Sequence, residues 1–259
     1  MNYVIAIPSY QRAITLDEKT LRLLKDYKIP KEKIYIFVAN QYEYDEYTNT
    51  IDLYYNKIII GEKGMGNIRN FMTSYFEQDQ KIFYLDDDIN FFYECHNDKN
   101  IKNKSYNYLK KLPDLSKFIK HGFNILEKEN CNLFGVYPVR NSFFMKTDNY
   151  STDLKYCIGF CYGVINQKDL KVTLDDKEDF ERTLLYYIKD NKIVRFNNVT
   201  CGTICYKKNS GGMNDENRTL ERIHKSAEYL VENYPDLCSL KISKKRGTSE
   251  IRLKDKKKN

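Results

Sequence analysis

Three consecutive aspartates, Asp86, Asp87 and Asp88, follow an apolar run in the stretch KIFYLDDDINFF, residues 81–92. Adjacent carboxylates repel one another, which raises their pKa values unless a cation or hydrogen-bond donors compensate. The usual compensation is a divalent metal, commonly Mg²⁺ or Mn²⁺, bound by one or two carboxylates and by phosphate oxygens. Side chains alternate along a strand, so Asp86 and Asp88 would face one side and Asp87 the other. The sequence therefore predicts a metal site at Asp86 and Asp88, and an acidic turn with a helix N-cap is the structural alternative.

A second polar segment, PSYQR at residues 8–12, comes directly after the apolar run YVIAIP. Tyr10 could stack on a base, and Arg12 could bind phosphate or the edge of a base. A plain loop in which Arg12 forms a surface ion pair is the alternative interpretation.

A third segment, GEKGMGNIRN at residues 61–70, places two glycines just before a predicted helix. Gly64 and Gly66 leave room for a ligand to approach the backbone, and the first N–H groups of the helix favour an anion. Arg69 and Asn70 lie one turn into this helix, within reach of a phosphate or a base. An ordinary tight turn would contain the same glycine pair.

A cluster of charge opens another predicted helix, in LDDKEDFERTLLYY at residues 174–187. Carboxylates in a first helical turn are stabilised by the helix dipole, which accounts for Asp175 and Asp176. Glu178 and Asp179 are the further pair, and a carboxylate here could take a proton from an attacking hydroxyl group.

Apolar runs alternate with amphipathic stretches over the first ninety residues, whereas residues 42–51 are polar and ambiguous. Strands are predicted at residues 3–8, 33–40, 56–62 and 81–88, and helices at 15–28 and 66–78. This alternation is typical of an α/β fold with a mixed, mostly parallel sheet and helices on both faces. In such sheets ligands bind beyond the carboxyl ends of the strands, so the three polar segments should converge on one edge.

The second half is less regular. Helices are predicted at residues 114–130, 175–191 and 216–234, and strands at 132–139, 156–166 and 192–201. Gly211 and Gly212 form a hinge before the last helix, whose face also carries His224. A mid-helix histidine is typical of a structural or surface role.

Charge divides the chain into a neutral body and a basic end. Of the net charge of +7, all arises from residues 241–259, because the first 240 residues carry 34 basic and 34 acidic side chains. We expect one domain over residues 1–240, followed by a basic tail. Such a tail attracts phosphate backbones, although a solvated terminus has the same composition.

The cellular compartment is predicted from the absence of membrane-spanning and signal-peptide patterns. No apolar run approaches the length of a membrane span, and the N-terminus lacks the pattern of a signal peptide. The seven cysteines form no C-x-x-C pair, so we expect buried, reduced thiols and a cytoplasmic protein.

Taken together, IPSYQR, GMGNIRN, YLDDDI and KEDFERTLLYY resemble the motifs of a nucleotide-sugar glycosyltransferase of the GT-A fold. The resemblance implies a catalytic base at Asp179 with Glu178 as its partner or acceptor contact. It implies metal ligands, for Mn²⁺ or Mg²⁺, at Asp86, Asp88 and His224. It implies nucleotide-sugar contacts at Pro8, Ser9, Tyr10, Arg12, Gly64, Asn67, Arg69, Asp86, Asp87, Gly211 and Gly212. The resemblance also implies a nucleotide-binding half at residues 1–95 and an acceptor half at residues 96–240. The glycine loop would close over the donor.

The C-terminal stretch SAEYLVENYPDLCSLKISKKRGTSEIRLK, with GGM and KEDFE, resembles the TET/JBP-associated glycosyltransferases of phages and other viruses. This resemblance implies an inverting transfer from a UDP-sugar to a hydroxymethylated pyrimidine in DNA, in the host cytoplasm. Lys244, Lys245 and Arg246 are then candidates for DNA contact. Three alternatives stay open: a glycan or protein acceptor, a metal-dependent nucleotidyltransferase or nuclease, and a non-catalytic nucleic-acid-binding module.

Overall fold

The structure is a computed structural model, and it describes residues 2–52, 54–98, 106–147, 150–202, 219–243 and 247–254. The strands are β1 (Val4–Pro8), β2 (Ile34–Val38), β3 (Lys57–Ile60), β4 (Lys81–Leu85), β5 (Phe91–Asp98), β6 (Tyr106–Lys111), β7 (Leu133–Tyr137), β8 (Tyr150–Ser151), β9 (Cys161–Ile165), β10 (Val194–Gly202), β11 (Cys238–Ile242) and β12 (Ser249–Leu253).

The helices alternate with the early strands and become sparser later. They are α1 (Ala13–Leu16), a π-helical stretch (Asp17–Leu21), α2 (Arg22–Asp26), a 3₁₀ turn (Lys31–Lys33), α3 (Gln41–Thr50), α4 (Met65–Tyr75), α5 (Leu115–Glu129), α6 (Glu178–Asp190) and α7 (Leu220–Asn233). Within these described residues, none of the helices is both long and apolar enough to cross a membrane.

Strands β1 to β10 form one mixed sheet in the order β3-β2-β1-β4-β9-β7-β10-β5-β6, with the short β8 paired to β10. The pairs β3–β2, β2–β1 and β1–β4 are parallel. Strand β9 runs antiparallel to both β4 and β7, so β7 has the same direction as β4. The loops that follow β1, β2, β3, β4 and β7 therefore all lie at one edge of the sheet.

Two hydrophobic cores cover the two faces of this sheet. On one face Ile5 and Ile7 of β1 belong to a cluster with residues of α1, α2 and α5. On the other face Val4 and Ala6 belong to a cluster with residues of α4, α6 and α7. Adjacent residues of a strand face opposite sides, so an uninterrupted apolar strand is buried by helices from both directions. The predicted α/β class, with helices on both faces, is confirmed.

Several predicted elements differ from the observed ones. The ambiguous polar segment forms α3, which begins after Asn40 because its side chain caps the N–H of Glu43. The strand predicted at 156–166 is shortened to β9. The hairpins β5–β6 and β11–β12 were not predicted, and the expected boundary of the basic tail at residue 240 falls inside β11.

The described cysteines match the expectation of reduced thiols. Six are free and buried, and they are Cys95, Cys131, Cys157, Cys161, Cys201 and Cys238. Their thiols contribute small apolar surfaces to the interior.

We predict that Phe134→Ala lowers the free energy of unfolding by about 3–5 kcal/mol, because a large cavity would form in the core. Phe134 is fully buried, and glycines make room for its ring: a Cβ added at Gly163 would lie 2.1 Å from the ring, and one at Gly122 2.6 Å. Urea unfolding measures the change. The matched control is Phe143→Ala, whose side chain is 82% exposed and whose loss should change stability by less than about 0.5 kcal/mol. Equal effects of the two substitutions would contradict this packing.

Candidate active site

The loops at the carboxyl ends of β1, β2, β3 and β4 enclose a cavity of about 530 Å³. The wall also receives one residue from the loop before α6 and one from α7. The lining residues are Pro8, Ser9, Tyr10, Arg12, Phe37, Val38, Ala39, Glu62, Lys63, Gly64, Met65, Ile68, Asp86, Asp87, Asp88, Asp175 and Arg222. The three polar segments that the sequence singled out thus meet at one edge, where parallel α/β sheets bind ligands.

The aspartate turn is fixed by backbone contacts on two sides. The hydroxyl of Thr20, in the π-helical stretch, donates to the carbonyl oxygen of Asp86 (2.8 Å) and accepts from the N–H of Ile89 (2.8 Å). The N–H of Asp86 donates to the carbonyl oxygen of Phe160 (3.0 Å), just before β9. The irregular helix therefore serves to hold the turn, a common use of π-helical geometry.

Asp86 is bound from behind by a buried arginine. One Arg69 amino group donates to the Asp86 carboxylate (2.9 Å) and to the carbonyl oxygen of Gly159 (3.0 Å). Burial raises the pKa of Asp86 and the charge of Asp88 adds to this, whereas the Arg69 guanidinium opposes it. Arg69 is only 4% exposed and does not line the cavity. The guanidinium is used inside the protein, and the predicted contact of Arg69 with the nucleotide stays a prediction.

Asp87 and Asp88 lie in the turn beyond β4, so strand alternation does not decide where they point. The Ser9 hydroxyl donates to the Asp87 carboxylate (2.6 Å), and an Arg12 amino group lies 3.4 Å from Asp87 and 4.0 Å from Asp88. Burial raises the pKa of Asp87 to about 7 despite these donors. Ser9 and Arg12 thus join the β1 loop to the aspartate turn.

The carboxylate of Glu43 connects the loop that follows β1 to the loop that follows β2. The sequence analysis missed this role. This buried carboxylate accepts the N–H of Gln11 (3.0 Å) and the N–H of Ala39 (3.1 Å). Burial raises the Glu43 pKa, and these two backbone N–H groups oppose that rise. The spacing of Asn40 and Glu43, with a capping residue three positions ahead of a glutamate, was the signal available in the sequence.

The start of α4 is partly closed by an acidic side chain. Gly64 has φ of 105°, a backbone conformation that favours glycine. The N–H of Gly66 donates to the Asp175 carboxylate (2.9 Å), and a Cβ at Gly66 would lie 2.7 Å from the carbonyl oxygen of Leu174. Asn67 does not line the cavity, since its amide donates to the carbonyl oxygen of Lys63 (3.0 Å). Asp175 therefore caps α4 from outside, and it is not in the first turn of α6 as expected.

Arg222 is a cation on the cavity wall that the sequence analysis did not single out. It lies near the start of α7, 2.6 Å from the buried Asp176 and 3.8 Å from Asp175. Its side chain keeps 38% of its surface exposed, so an anion in the cavity can reach it. Lys63 provides further positive charge, with its ammonium group 5.3 Å from the centre of the Tyr10 ring.

The predicted catalytic pair divides into a buried and a partly exposed carboxylate. Glu178 is 5% exposed, accepts from Arg182 (2.6 Å) and lies 3.4 Å from Arg69. Burial raises its pKa, and the two guanidinium groups oppose the rise. The Glu178 carboxylate is enclosed by arginines, and its expected role as partner of the base or as acceptor contact stays a prediction.

Asp179 lies beside the aspartate turn on the β9 side. Its carboxylate accepts from the Tyr156 hydroxyl and from the N–H of Gly159 (3.2 Å). Gly159 precedes Phe160, whose carbonyl oxygen binds Asp86, so one short loop contacts both aspartates. Asp179 is outside the cavity wall itself, at its border with the second half of the sheet.

His224 is not placed with the aspartates. Its Nδ1 is 2.6 Å from the Ser249 hydroxyl of β12, and its Nε2 is 3.1 Å from Glu228. Both ring nitrogens thus have partners within α7 and the hairpin, and the predicted ligand role of His224 stays a prediction. Among the residues that the structure describes, no group of three His, Cys, Asp or Glu side chains could hold a metal alone. Asp86 and Asp88 still fit a hard cation that takes its other ligands from phosphate and water.

Five predicted contacts cannot be placed. Gly211, Gly212, Lys244, Lys245 and Arg246 lie outside the described residues.

Comparison with known proteins places the fold. No family model and no curated protein sequence matches this chain. Solved structures of S. aureus TarS, a GT-A-like glycosyltransferase, do match. The complex of TarS 1–349 with UDP-GlcNAc has a TM-score of 0.50 at 14% identity, over 89% of this chain and 67% of that one.

Two further structures of TarS 1–349 are less similar. The UDP complex has a TM-score of 0.49 at 13% identity, over 89% of this chain and 66% of TarS. Another crystal structure has 0.46 at 15% identity, over 76% of this chain and 58% of TarS. This chain therefore spans 58–67% of these three TarS 1–349 chains. The fold is of the GT-A-like type, as the resemblance implied.

We predict that Glu43→Gln destabilises the protein by about 1–3 kcal/mol, because the amide nitrogen would face a backbone N–H that now binds an oxygen. Urea unfolding measures the loss. Glu46→Gln is the matched control on the exposed side of α3, where the same change should have little effect. Equal stability of wild type and Glu43→Gln would contradict the organising role.

Proposed function

We propose that this chain is a metal-dependent glycosyltransferase that transfers a sugar from a UDP-sugar to a hydroxyl group on hydroxymethylated DNA. One observation carries the proposal: in a GT-A-like fold, the β1 loop, the start of α4 and the Asp86–Asp88 turn line one cavity. A volume of about 530 Å³ is within the usual range for a small-molecule site.

The donor's nucleotide would lie between the loops after β1, β2 and β3. Tyr10 offers an aromatic ring, and Phe37, Val38 and Ala39 line the wall of the cavity after β2. The diphosphate would lie where Arg12, Lys63 and Arg222 bring positive charge to the wall. The TarS structure that holds UDP-GlcNAc has the same type of fold, which supports a UDP-sugar as the donor class.

Asp86 and Asp88 would hold Mn²⁺ or Mg²⁺ together with phosphate oxygens of the donor. The metal charge would stabilise the diphosphate as it leaves. The donor set fits, because carboxylate oxygens are the ligands these ions prefer and both side chains line the cavity. Arg69 fixes the orientation of Asp86, and Arg12 does the same for Asp87 and Asp88.

In the transfer step the acceptor oxygen attacks the anomeric carbon while the bond from that carbon to the diphosphate oxygen breaks. The electron pair leaves with the diphosphate, beside Arg222 and Lys63. The acceptor's proton goes to Asp179, whose carboxylate is held by Tyr156 and Gly159 at the border of the cavity. Attack from the side opposite the leaving group inverts the anomeric centre.

The acceptor would be a hydroxymethylated pyrimidine, as in the TET/JBP-associated glycosyltransferases that the sequence resembles. The charge distribution supports a polyanionic acceptor, because residues 241–259 carry the whole net charge of +7. Part of that segment forms the β11–β12 hairpin. The hairpin adjoins α7, which is the helix that carries Arg222.

We predict that UDP binds in the presence of Mn²⁺ and that Asp88→Asn weakens this binding at least tenfold, because one metal ligand loses its charge. Isothermal titration with UDP, with Mn²⁺ and with chelator, measures the effect. The matched control is Asp26→Asn, an exposed residue at the end of α2. Metal-independent UDP binding, unchanged in Asp88→Asn, would contradict the metal role.

We predict that Asp179→Asn lowers sugar transfer to hydroxymethylated DNA by about 10²–10⁴-fold, because the general base is lost. Binding of UDP should be retained, since Asp179 lies outside the cavity wall. Transfer from a radiolabelled UDP-sugar to modified and unmodified DNA measures the effect. Transfer to a glycan and not to DNA would overturn the acceptor while keeping the enzyme class.

A further inference from the structure

Two adjacent phenylalanines are exposed in the turn after β7. Phe143 is 82% exposed and Phe144 is 62% exposed, with ring centres 5.0 Å apart and planes at 87°. Single exposed apolar side chains are ordinary, but a neighbouring pair of large rings forms an apolar patch. We name this pair the aromatic platform.

The turn that carries the aromatic platform is anchored. The side-chain amide of Asn107 in β6 donates to the carbonyl oxygens of Ser142 (3.3 Å) and Met145 (3.0 Å). Met145 is 3% exposed and holds the turn to the interior, and the next residue bonds through its N–H to Asn197 of β10 (3.1 Å). The rings are therefore presented to solvent by a fixed backbone and cannot simply fold back into the core.

The turn that carries the aromatic platform begins at the sheet edge that holds the aspartate turn, because β7 runs in the direction of β4. Arg140, in the same turn, has its guanidinium carbon 5.0 Å from the ring centres of Phe91 and Tyr93. Phe91 opens β5 only three residues after Asp88. Arg140 thus connects the turn of the aromatic platform to the first residues of β5, which follow the aspartate turn.

Positive charge accompanies the rings. Neither Arg140 nor Lys146 forms an ion pair with a carboxylate in the part of the chain that the structure describes. Both side chains are exposed. Exposed aromatic faces beside uncompensated cations are the combination that binds a nucleic-acid strand, with stacked bases and paired phosphates.

We propose that the aromatic platform binds the acceptor strand of DNA with its bases unpaired, so that a base stacks on Phe143 or Phe144 and phosphates face Arg140 and Lys146. In a duplex the faces of the bases are covered by their neighbours, and only an unpaired or extruded base offers a face to a side chain. The inference rests on the proposed transfer to DNA and deepens it. The target nucleotide is either extruded from the double helix or part of single-stranded DNA.

The test is the affinity of the full chain for a short fluorescein-labelled single strand of mixed sequence, followed by fluorescence anisotropy. The double variant Phe143→Ala/Phe144→Ala should bind about tenfold more weakly or worse, because each lost stacking contact has a large effect. Ile188→Ala, a 55% exposed apolar residue on α6, is the matched control and should bind as wild type does. The same sequence as a duplex should bind more weakly than the single strand.

Unchanged strand affinity in the double variant overturns the inference. Sedimentation is the second check: if wild type is a dimer and the double variant a monomer, the rings bind a second copy of the chain, which also overturns the inference. Titration of UDP with Mn²⁺ on the same proteins separates the two proposals. Strand affinity lost while UDP binding is kept supports both. If the double variant keeps both strand affinity and UDP binding, only the proposed role of the aromatic platform is refuted. Absence of UDP binding in wild type refutes the proposed transfer, and lost strand affinity would then still support the platform.

Discussion

The buried guanidinium of Arg69 joins the two halves of the site, and most of the geometry depends on it. It binds Asp86 at the end of β4, the carbonyl oxygen of Gly159 before β9, and Glu178 at the start of α6. The charge of this buried arginine is matched by the two carboxylates, and removal of one partner from a buried ion pair costs about 3–5 kcal/mol. The parallel half of the sheet and the mixed half are therefore held in register at the point where chemistry is proposed.

A second arginine completes this network. Arg182 binds the other side of Glu178, and its guanidinium carbon lies 3.6 Å from the centre of the Tyr162 ring. Arg69 lies 5.6 Å from the same ring. Two arginines and two carboxylates thus balance in charge around one aromatic side chain, which keeps Asp86 and the start of α6, where Asp179 lies, in fixed positions. A catalytic site requires that the side chains in contact with the substrate have fixed positions.

The sequence allowed the location of the site to be predicted better than the contacts within it. Tyr10, Gly64 and the aspartate turn follow strands, and the rule for parallel sheets brings such positions to one edge whatever the packing. The inward position of Arg69 could not be predicted, because helical spacing does not say whether a face meets a cavity or the interior. Asp175 was assigned to its own helix, whereas it caps a helix more than a hundred residues away. Glu43 was missed because a buried carboxylate is recognised only by the donors around it, and these come from two other loops.

The central claim is that Asp86 and Asp88 bind a divalent metal that also binds the diphosphate of a UDP-sugar. The most direct measurement is a crystal structure of the full chain grown with UDP and Mn²⁺, with the manganese located from its anomalous scattering. We predict one manganese peak between the Asp88 carboxylate and the diphosphate, with the uracil beside Tyr10. A nucleotide bound in the cavity without manganese, or manganese bound away from Asp86 and Asp88, would contradict the account.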